Sequence, residues 1–409
     1  MYNEQTEALL FHPSIAHRLD RVTEAATLQI ASRARELRAA GRSIISLSTG
    51  EPDFPTPEHI KEAGIRAIQE NFTKYTAAEG MPELREAVAR KFRRDNGIET
   101  SADRIQVSSG GKHAFANAII SLVDPGDEVI IPSPYWVSYP SMIAIAEGIP
   151  RFVETTIENE WLMGAEDLAN AIGPRSKVLI LNTPVNPTSA MYLEEDLRAL
   201  VPVIKESGIY VVVDELYEHL TFDGRRHFSI GSVPEIADQV ITINGLSKAY
   251  SMTGWRIGFA TGPQEVIAGM NRLQSQAVSH PSSISQRAAI EALTGPQDSI
   301  ETMRFAFERR RDLVLELMGE IPSIRYAIPK AAFYLFFDVS DYLGKEMPNG
   351  EAIETAPDLC EMLLENFGVA LVPGGAFGDD NAVRLSFAAS EGDIREGIHR
   401  LAEGLRSIQ

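Results

Sequence analysis

Short apolar runs alternate with helical patterns between about residues 100 and 260, and this alternation constrains the fold more than any other feature. Several runs are apolar without interruption, as is typical of strands that are covered on both faces. The pattern therefore predicts an α/β protein with a doubly wound, mostly parallel sheet, which binds ligands beyond the carboxyl ends of its strands. The predicted strands are 104–107, 128–131, 177–181, 210–213 and 240–243.

Helical periodicity is present between these strands and at both ends of the chain. Residues 82–96 and 193–206 each place apolar residues on one helical face, and Gly208 ends the second pattern. Elements are also predicted outside the alternating region, with helices at 24–40, 301–318 and 392–406 and strands at 333–337 and 383–387.

Length and composition limit the classes of protein to which this chain can belong. With 409 residues the chain exceeds one typical core, so we predict a large domain at 51–300 and a smaller α+β domain formed by 1–50 and 301–409. A net charge of -19 argues against nucleic acid and anionic membranes as partners. Cys360 is the only cysteine, which excludes an intrachain disulfide and a cysteine-based metal site.

The N-terminus and the lengths of the apolar runs indicate where the protein is located. The first fourteen residues lack the basic-then-apolar order of a signal peptide, and no apolar run approaches the length of a membrane span. We therefore expect a cytoplasmic protein that binds neither membrane nor metal.

Lys248 follows the apolar strand predicted at 240–243 and lies in the segment Ser-Lys-Ala-Tyr-Ser-Met-Thr-Gly-Trp-Arg-Ile-Gly, residues 247–258. A lysine in a turn is usually a solvated surface residue. The alternative is a desolvated, neutral amine that forms a Schiff base with an aldehyde cofactor. The residues around Lys248 have to decide between these interpretations.

Asp214 ends the apolar run 211–213. An acid at this position is often a helix cap, but it can also pair with a protonated pyridine nitrogen and keep that ring cationic. Tyr217, three residues later, can face the same site and hydrogen-bond a ring hydroxyl. Both interpretations of Asp214 stay open on the sequence alone.

The dipeptide Gly110-Gly111 precedes Lys112 between a predicted strand and a helix. Two glycines let backbone amides approach an anion at a helix N-terminus, although most such turns are merely tight connections. The chain contains neither the dinucleotide nor the P-loop fingerprint, which argues against a nucleotide site.

Three further residues have both a structural and a functional interpretation. Trp136 is either packed in the core or stacked on a flat ring. Asn186 belongs either to a proline-stiffened turn or to a site in which its amide donates to a ring oxygen. Arg384 either faces solvent from a strand or grips a carboxylate with its planar guanidinium.

The order of these motifs is more specific than any one of them. Gly-Gly-Lys, Pro-Tyr-Trp, Asn-Pro-Thr, Asp-x-x-Tyr, Ser-Lys with an arginine eight residues later, and Arg-Leu-Ser follow one another from residue 110, after Gly-Glu-Pro-Asp-Phe at 50–54. This order resembles the class I aminotransferases of fold type I, and in particular the bacterial aspartate aminotransferases that carry Gly-Gly-Lys. The resemblance implies a mostly parallel seven-stranded sheet in a large domain, a smaller α+β domain, and pyridoxal 5'-phosphate as cofactor.

The resemblance also implies which residues would bind this cofactor. Lys248 would form the imine and act as the base that moves the substrate proton, and Asp214 would pair with the pyridine nitrogen. The remaining contacts would come from Tyr217 and Asn186 to the ring oxygen, from Trp136 to the ring face, and from the amides of Gly111 and Lys112 with Arg256 to the phosphate. Tyr75 would reach the phosphate of a neighbouring subunit, which implies a homodimer.

For the substrate, the resemblance implies two carboxylate sites. Arg384, with the Gly50 backbone, Asn186 and Trp136, would bind the α-carboxylate end of the amino acid. Lys112 with Thr27 would bind a distal carboxylate. Relatives that also use prephenate have a lysine or arginine where this chain has Thr23, so prephenate is not expected as a substrate.

The expected reaction is a ping-pong transfer of the amino group from an L-amino acid, aspartate in first place, to 2-oxoglutarate. An aminotransferase for aromatic or other amino acids and a pyridoxal-phosphate lyase on the same fold are the alternatives. A regulatory module of this fold would need an additional basic DNA-binding domain, and no part of the acidic chain is left to form one.

Overall fold

The computed structural model describes residues 16–22, 26–347, 350 and 352–408. Its helices are α1 (Ala26–Ala39), α2 (Glu58–Gln69), α3 (Pro82–Asn96), α4 (Gly111–Leu122), α5 (Tyr139–Ile145), α6 (Ala165–Ala171), α7 (Glu194–Ser207), α8 (Gln264–Ala277), α9 (Ser283–Thr294), α10 (Asp298–Met318), α11 (Ala356–Met362) and α12 (Glu391–Arg406). Its strands are β1 (Ile45–Ser46), β2 (Ile105–Ser108), β3 (Glu128–Ser133), β4 (Ile149–Glu154), β5 (Ser176–Asn182), β6 (Tyr210–Asp214), β7 (Val240–Gly245), β8 (Gly258–Thr261), β9 (Arg325–Tyr326), β10 (Tyr334–Asp338), β11 (Lys345–Glu346), β12 (Ala352–Ile353), β13 (Val369–Ala370), β14 (Val372–Pro373) and β15 (Ala382–Ser386).

A seven-stranded sheet with the order β2-β8-β7-β6-β5-β3-β4 forms the centre of the fold. Strands β3 to β7 are parallel to one another, whereas β8 runs antiparallel to both β2 and β7. The predicted mostly parallel sheet is therefore confirmed. All five predicted strands are present with ends within two residues of the prediction, and β4 and β8 complete the sheet.

Side chains of the central strands alternate between two apolar layers. In β5, Val178 and Ile180 pack with α4, α5 and α8, whereas Leu179 and Leu181 pack with α6 and α7 on the other side. Successive side chains of a strand point to opposite faces of the sheet. Because both faces are covered here, the side chains on both faces are apolar. This explains why the central strands have continuous apolar runs.

A second, antiparallel sheet has the order β14-β15-β10-β9. It packs against α10, α11 and α12 in one large apolar cluster. β1 pairs in parallel with β13, so that a segment near the start of the chain lies against its C-terminal part. The same cluster includes Leu220 and Phe222 from the segment after β6. The division into domains at residues 50 and 300 stays a prediction.

The carboxyl ends of β5, β6 and β7 lie side by side at one edge of the central sheet. Asn182 ends β5, Asp214 ends β6, and Lys248 follows β7 by three residues. Parallel strands thus bring three polar side chains, widely separated in sequence, to one place. No helix in the part of the chain that the structure describes is long and apolar enough to cross a membrane.

Candidate active site

A cavity of about 340 Å³ opens at this edge of the sheet. It brings together all the site residues suggested by the sequence except Tyr75, from segments that span most of the described chain. Its lining consists of Thr27, Thr49, Gly50, Glu51, Gly111, Lys112, Trp136, Asn182, Asn186, Asp214, Leu216, Tyr217, Ser247, Lys248, Thr253, Arg256, Tyr334 and Arg384.

Lys248 extends into this cavity and is not the solvated turn residue of the first interpretation. Its Nζ donates a hydrogen bond to the backbone oxygen of Gly50 at 2.5 Å. The amine also lies 5.8 Å and 5.9 Å from the ring centroids of Tyr217 and Phe333. Desolvation lowers the pKa of Lys248 to about 8, against the partly opposing field of Glu51. More of the amine is therefore neutral, and nucleophilic, near neutral pH than in an ordinary lysine.

Asp214 is buried and combines both roles considered for it. Its Oδ1 accepts from the backbone N–H of Leu216 at 3.3 Å, which caps the following turn, and its Oδ2 accepts from the Tyr139 hydroxyl at 3.0 Å. Burial raises the pKa of Asp214 to about 6, although these two hydrogen bonds partly offset the shift. The carboxylate faces the cavity without an ion-pair partner among the described residues, so a cationic group placed beside it would be stabilised.

The segment that carries Asp214 is anchored from its other side by buried charges. Asn96 donates to Glu215 at 2.9 Å, and Lys91 forms an ion pair with Glu218. These residues do not line the cavity. Because Glu215 and Glu218 of this segment lie in the network and not in the cavity, the network fixes the segment from which Asp214 faces the cavity.

Two tyrosines close the cavity beside the lysine. The hydroxyls of Tyr217 and Tyr334 are 2.7 Å apart, and burial raises the pKa of both side chains. A Cβ atom at Gly50 would come within 2.6 Å of the Tyr334 hydroxyl. Glycine is therefore required at position 50, whose own carbonyl oxygen accepts the hydrogen bond from Lys248.

Arg384 is 2% exposed, so the solvent-facing interpretation of this strand residue is wrong. It donates to Asn186 Oδ1 at 2.9 Å and to the Ser48 backbone oxygen at 2.8 Å, and its guanidinium lies 4.4 Å from the Tyr334 ring centroid. No carboxylate of the described residues pairs with it, and its Nε has no hydrogen-bond partner among them. Burial lowers its pKa. A buried cation without an acid partner favours an anionic ligand.

A second cationic region surrounds the N-terminus of α4. Gly110 has a φ of 94°, and a Cβ atom there would lie 2.3 Å from Nη2 of Arg256. A Cβ atom at Gly111 would lie 2.8 Å from the Leu216 side chain. The two glycines thus allow a guanidinium and free backbone N–H groups to converge, which is the arrangement of an anion site at a helix N-terminus.

Lys112 and Trp136 lie together at the mouth of this region. The Lys112 Nζ is 5.0 Å from the centroid of the Trp136 ring. Burial, and then the positive charge of Arg256, lower the pKa of Lys112. Trp136 also packs edge-on against Tyr139 at 5.3 Å between centroids. Trp136 is therefore packed against the protein on one side, and it also lines the cavity, where a flat ring can stack on it. Both interpretations of this residue hold.

One suggested residue, Tyr75, does not line this cavity, and the structure does not describe another, Thr23. Tyr75 is 91% exposed, and its ring contacts His280 at 5.5 Å between centroids. Its assignment to a neighbouring subunit stays a prediction. Thr23 lies outside the described residues, so the expectation about prephenate also stays a prediction.

Sequence reasoning missed several residues that shape the site. Tyr139 holds Asp214, Tyr334 faces Gly50, and Asn182 donates to the Asp214 backbone oxygen at 3.0 Å. The other overlooked lining residues are Thr49, Glu51, Leu216, Ser247 and Thr253.

Comparison with known proteins agrees with this geometry. The model of the family described as aminotransferase class I and II matches residues 42–401. The chain belongs to this family. It is accordingly an aminotransferase, as the motif order implied.

Relatives and solved structures match over nearly the whole chain. A probable aspartate/prephenate aminotransferase of Rhizobium leguminosarum bv. phaseoli is 45% identical, with 95% of this chain and 97% of the relative covered. The crystal structure of the aspartate aminotransferase from Rhizobium meliloti has a TM-score of 0.93 and 42% identity, covering 98% of this chain and 100% of the other. The aspartate aminotransferase from Thermus thermophilus with maleate has a TM-score of 0.90 and 42% identity, covering 96% and 100%. These neighbours confirm the predicted fold class.

The desolvated amine of Lys248 is expected to react at lower pH than an ordinary lysine. We expect its acetylation by acetic anhydride in cofactor-free protein to be half-maximal near pH 8, whereas unfolded chain should show a midpoint at about 10.4. Competitive labelling over a pH series, read by mass spectrometry of the peptide that contains Lys248, measures both midpoints. Equal midpoints in folded and unfolded protein would show that the amine is solvated.

Proposed function

We propose that this aminotransferase uses pyridoxal 5'-phosphate and transfers the amino group of aspartate to 2-oxoglutarate. The observation that carries the proposal is the convergence of Lys248, Asp214 and Arg384 on one cavity. An amine, a carboxylate and a guanidinium that face the same space without ion pairs among themselves are what an amino-acid reaction with an aldehyde cofactor requires.

The residues present fit the cofactor. The two glycines before α4 leave a cradle that a Cβ atom would fill, and the amides of Gly111 and Lys112 with Arg256 would hold the phosphate there. Trp136 offers a flat face to the ring. The buried, unpaired carboxylate of Asp214 would be stabilised by a protonated pyridine nitrogen.

Tyr217 and Asn186 would hold the ring oxygen of the cofactor. Tyr217 and Asn186 both line the cavity and carry donor groups that suit this oxygen. Asn186 is itself fixed, because its backbone N–H donates to Asn182 at 2.8 Å and its side chain accepts from Arg384. The cofactor, when bound, supplies an electron sink for the carbanion formed at the substrate Cα.

A side chain of the protein itself carries out the proton transfer. Lys248 would hold the cofactor. Once its amine is free, it would take the proton from the substrate Cα and donate that proton again in the second half of the proton shift. Its pKa of about 8 suits this task, because the amine has to be neutral to accept a proton near neutral pH. The hydrogen bond to Gly50 orients the amine towards the cavity.

Two separate cations favour a dicarboxylic amino acid. Arg384 would bind the α-carboxylate bidentately. Lys112, with Thr27 on the same cavity, would bind the distal carboxylate. The names of the relatives that match over the full length support aspartate as the donor.

We further propose a cytoplasmic homodimer as the active unit. The exposed ring of Tyr75 supports this proposal, because a large aromatic residue at 91% exposure suits a contact with a second subunit. A single, buried cysteine suits a reducing compartment.

The proposed reaction is tested by absorption and turnover of the cofactor-loaded protein. Aspartate should abolish the absorption band of the lysine-bound cofactor, and 2-oxoglutarate should restore it while oxaloacetate accumulates. In Lys248→Ala, turnover should fall by roughly 10²–10⁴-fold or more because the proton-transferring amine is lost, whereas cofactor binding should persist through the phosphate contacts. Normal turnover of Lys248→Ala would end the assignment.

The dicarboxylate preference is tested at Lys112. Replacing this lysine by methionine keeps the backbone N–H of the α4 N-terminus and removes only the charge. We expect kcat/KM for aspartate to fall by about 10–100-fold, because a hydrogen bond to a charged group contributes about 1.5–3 kcal/mol. Alanine, which has no distal carboxylate, is the control substrate, and kcat/KM for alanine should fall much less. An equal loss for both amino acids would assign Lys112 to cofactor binding alone.

A further inference from the structure

One stretch of backbone contacts both cationic groups of the site. We call residues 48–54 the wall segment. The Ser48 oxygen accepts from Arg384 Nη2 at 2.8 Å, and the Gly50 oxygen accepts from Lys248 Nζ at 2.5 Å. Two residues of the wall segment therefore set the separation between the reacting amine and the guanidinium that would bind the substrate.

The far end of the wall segment is fixed by a bidentate ion pair. Arg310 of α10 donates from Nη1 and Nη2 to the two carboxylate oxygens of Asp53, at 2.6 Å and 2.8 Å. Arg310 is 8% exposed, and its guanidinium lies 5.0 Å and 5.4 Å from the ring centroids of Phe54 and Phe307. A paired, two-pronged contact of this kind fixes orientation as well as distance.

A second set of hydrogen bonds fixes the segment from the side of Lys248. Ser251 donates to the Phe54 oxygen, and Thr56 donates to the Ser251 oxygen at 2.6 Å. Trp255 donates from Nε1 to Thr56 at 3.0 Å. The wall segment is thus held between α10 on one side and the residues that follow Lys248 on the other.

We propose that Asp53 and Arg310 are positioning residues, whose ion pair holds the Ser48 and Gly50 carbonyls where they align Arg384 and Lys248 for the substrate. This inference rests on the proposed function and deepens it. Neither residue lines the cavity, so their effect has to pass through the wall segment. A displacement of about 1 Å at a reacting group can lower a rate by about a hundredfold.

The same helix provides a matched control. The next residue, Arg311, is 5% exposed and also makes a bidentate pair, with Asp223 at 2.7 Å and 2.8 Å, in addition to a contact from its Nε to Asp312 at 2.8 Å. Its guanidinium also lies over an aromatic ring, that of Phe222, at 5.1 Å. Asp223 is not part of the wall segment and does not line the cavity. Loss of this pair should cost stability without moving the site.

The experiment compares Asp53→Asn, Arg310→Met and Arg311→Met in the cofactor-loaded enzyme. Four quantities are measured for each variant: the melting temperature, the KM and the kcat for aspartate, and the Kd of maleate by calorimetry. All three variants should melt at lower temperature than the wild type. Asp53→Asn and Arg310→Met should weaken maleate binding and lower kcat/KM by about 10–100-fold, whereas Arg311→Met should change both by less than about threefold.

Asp53→Asn separates positioning from simple electrostatics. Removing a negative charge strengthens the binding of a dianion if only the field matters, whereas loss of position weakens it. The double variant Asp53→Asn/Arg310→Met should be no weaker than either single variant, because the pair acts as a unit. If Arg310→Met does not fold, Arg310→Lys, which keeps the charge and loses the fork, should still show the weakened maleate binding.

Unchanged or tighter maleate binding by Asp53→Asn in an enzyme that turns over aspartate would overturn this inference and leave the proposed function intact. Equal losses in Arg310→Met and Arg311→Met would also overturn it, because they would show a general effect of stability. Absence of transamination in the wild type would instead overturn the proposed function.

Discussion

The removal of Lys248, Asp214 and Arg384 from water, without ion pairs among them, is the constraint on which the rest of the structure depends. Burial lowers the pKa of Lys248 to about 8 and raises that of Asp214 to about 6. Both shifts make the groups more ready to accept a partner of opposite charge or to change protonation state. The surrounding structure holds these groups in place by hydrogen bonds rather than by neutralising them.

Each of the three groups is held by an element that is itself rigid. Asp214 ends β6 and Lys248 follows β7, which are neighbouring strands of a sheet that is covered on both faces, and Arg384 lies within a strand of the second sheet. The carbonyls of the wall segment join the two regions, since they accept hydrogen bonds from both cations. Binding of an amino acid between Arg384 and Lys248 would therefore depend on the position of one sheet relative to the other.

The elements of the fold were largely predictable, because continuous apolar runs and helical periods are local signals. The strand β4 was not predicted, since it lies at the sheet edge with most of its side chains exposed and carries no apolar run. In the strand predicted at 383–387, alternation sets Arg384 on the face opposite to its apolar neighbours. It does not show that this second face is buried as well, which is why a solvent-facing arginine stayed possible. The seven-stranded sheet as a whole came from the resemblance.

Within the site, the sequence identified the residues that react and missed those that hold them. Lys248 and Asp214 belong to motifs with a recognisable order along the chain. Tyr139 contacts Asp214 across 75 positions, and Arg310 contacts Asp53 across 257 positions. No local sequence pattern predicts such pairs, because whether two residues make contact depends on which elements become neighbours in space.

The most direct measurement is the chemical location of the cofactor. Protein loaded with pyridoxal 5'-phosphate is reduced with borohydride, digested, and analysed by mass spectrometry. The cofactor mass should be attached to the side chain of Lys248 and to no other lysine. Attachment at Lys112 or at a surface lysine, or a protein that binds no cofactor, would contradict the account.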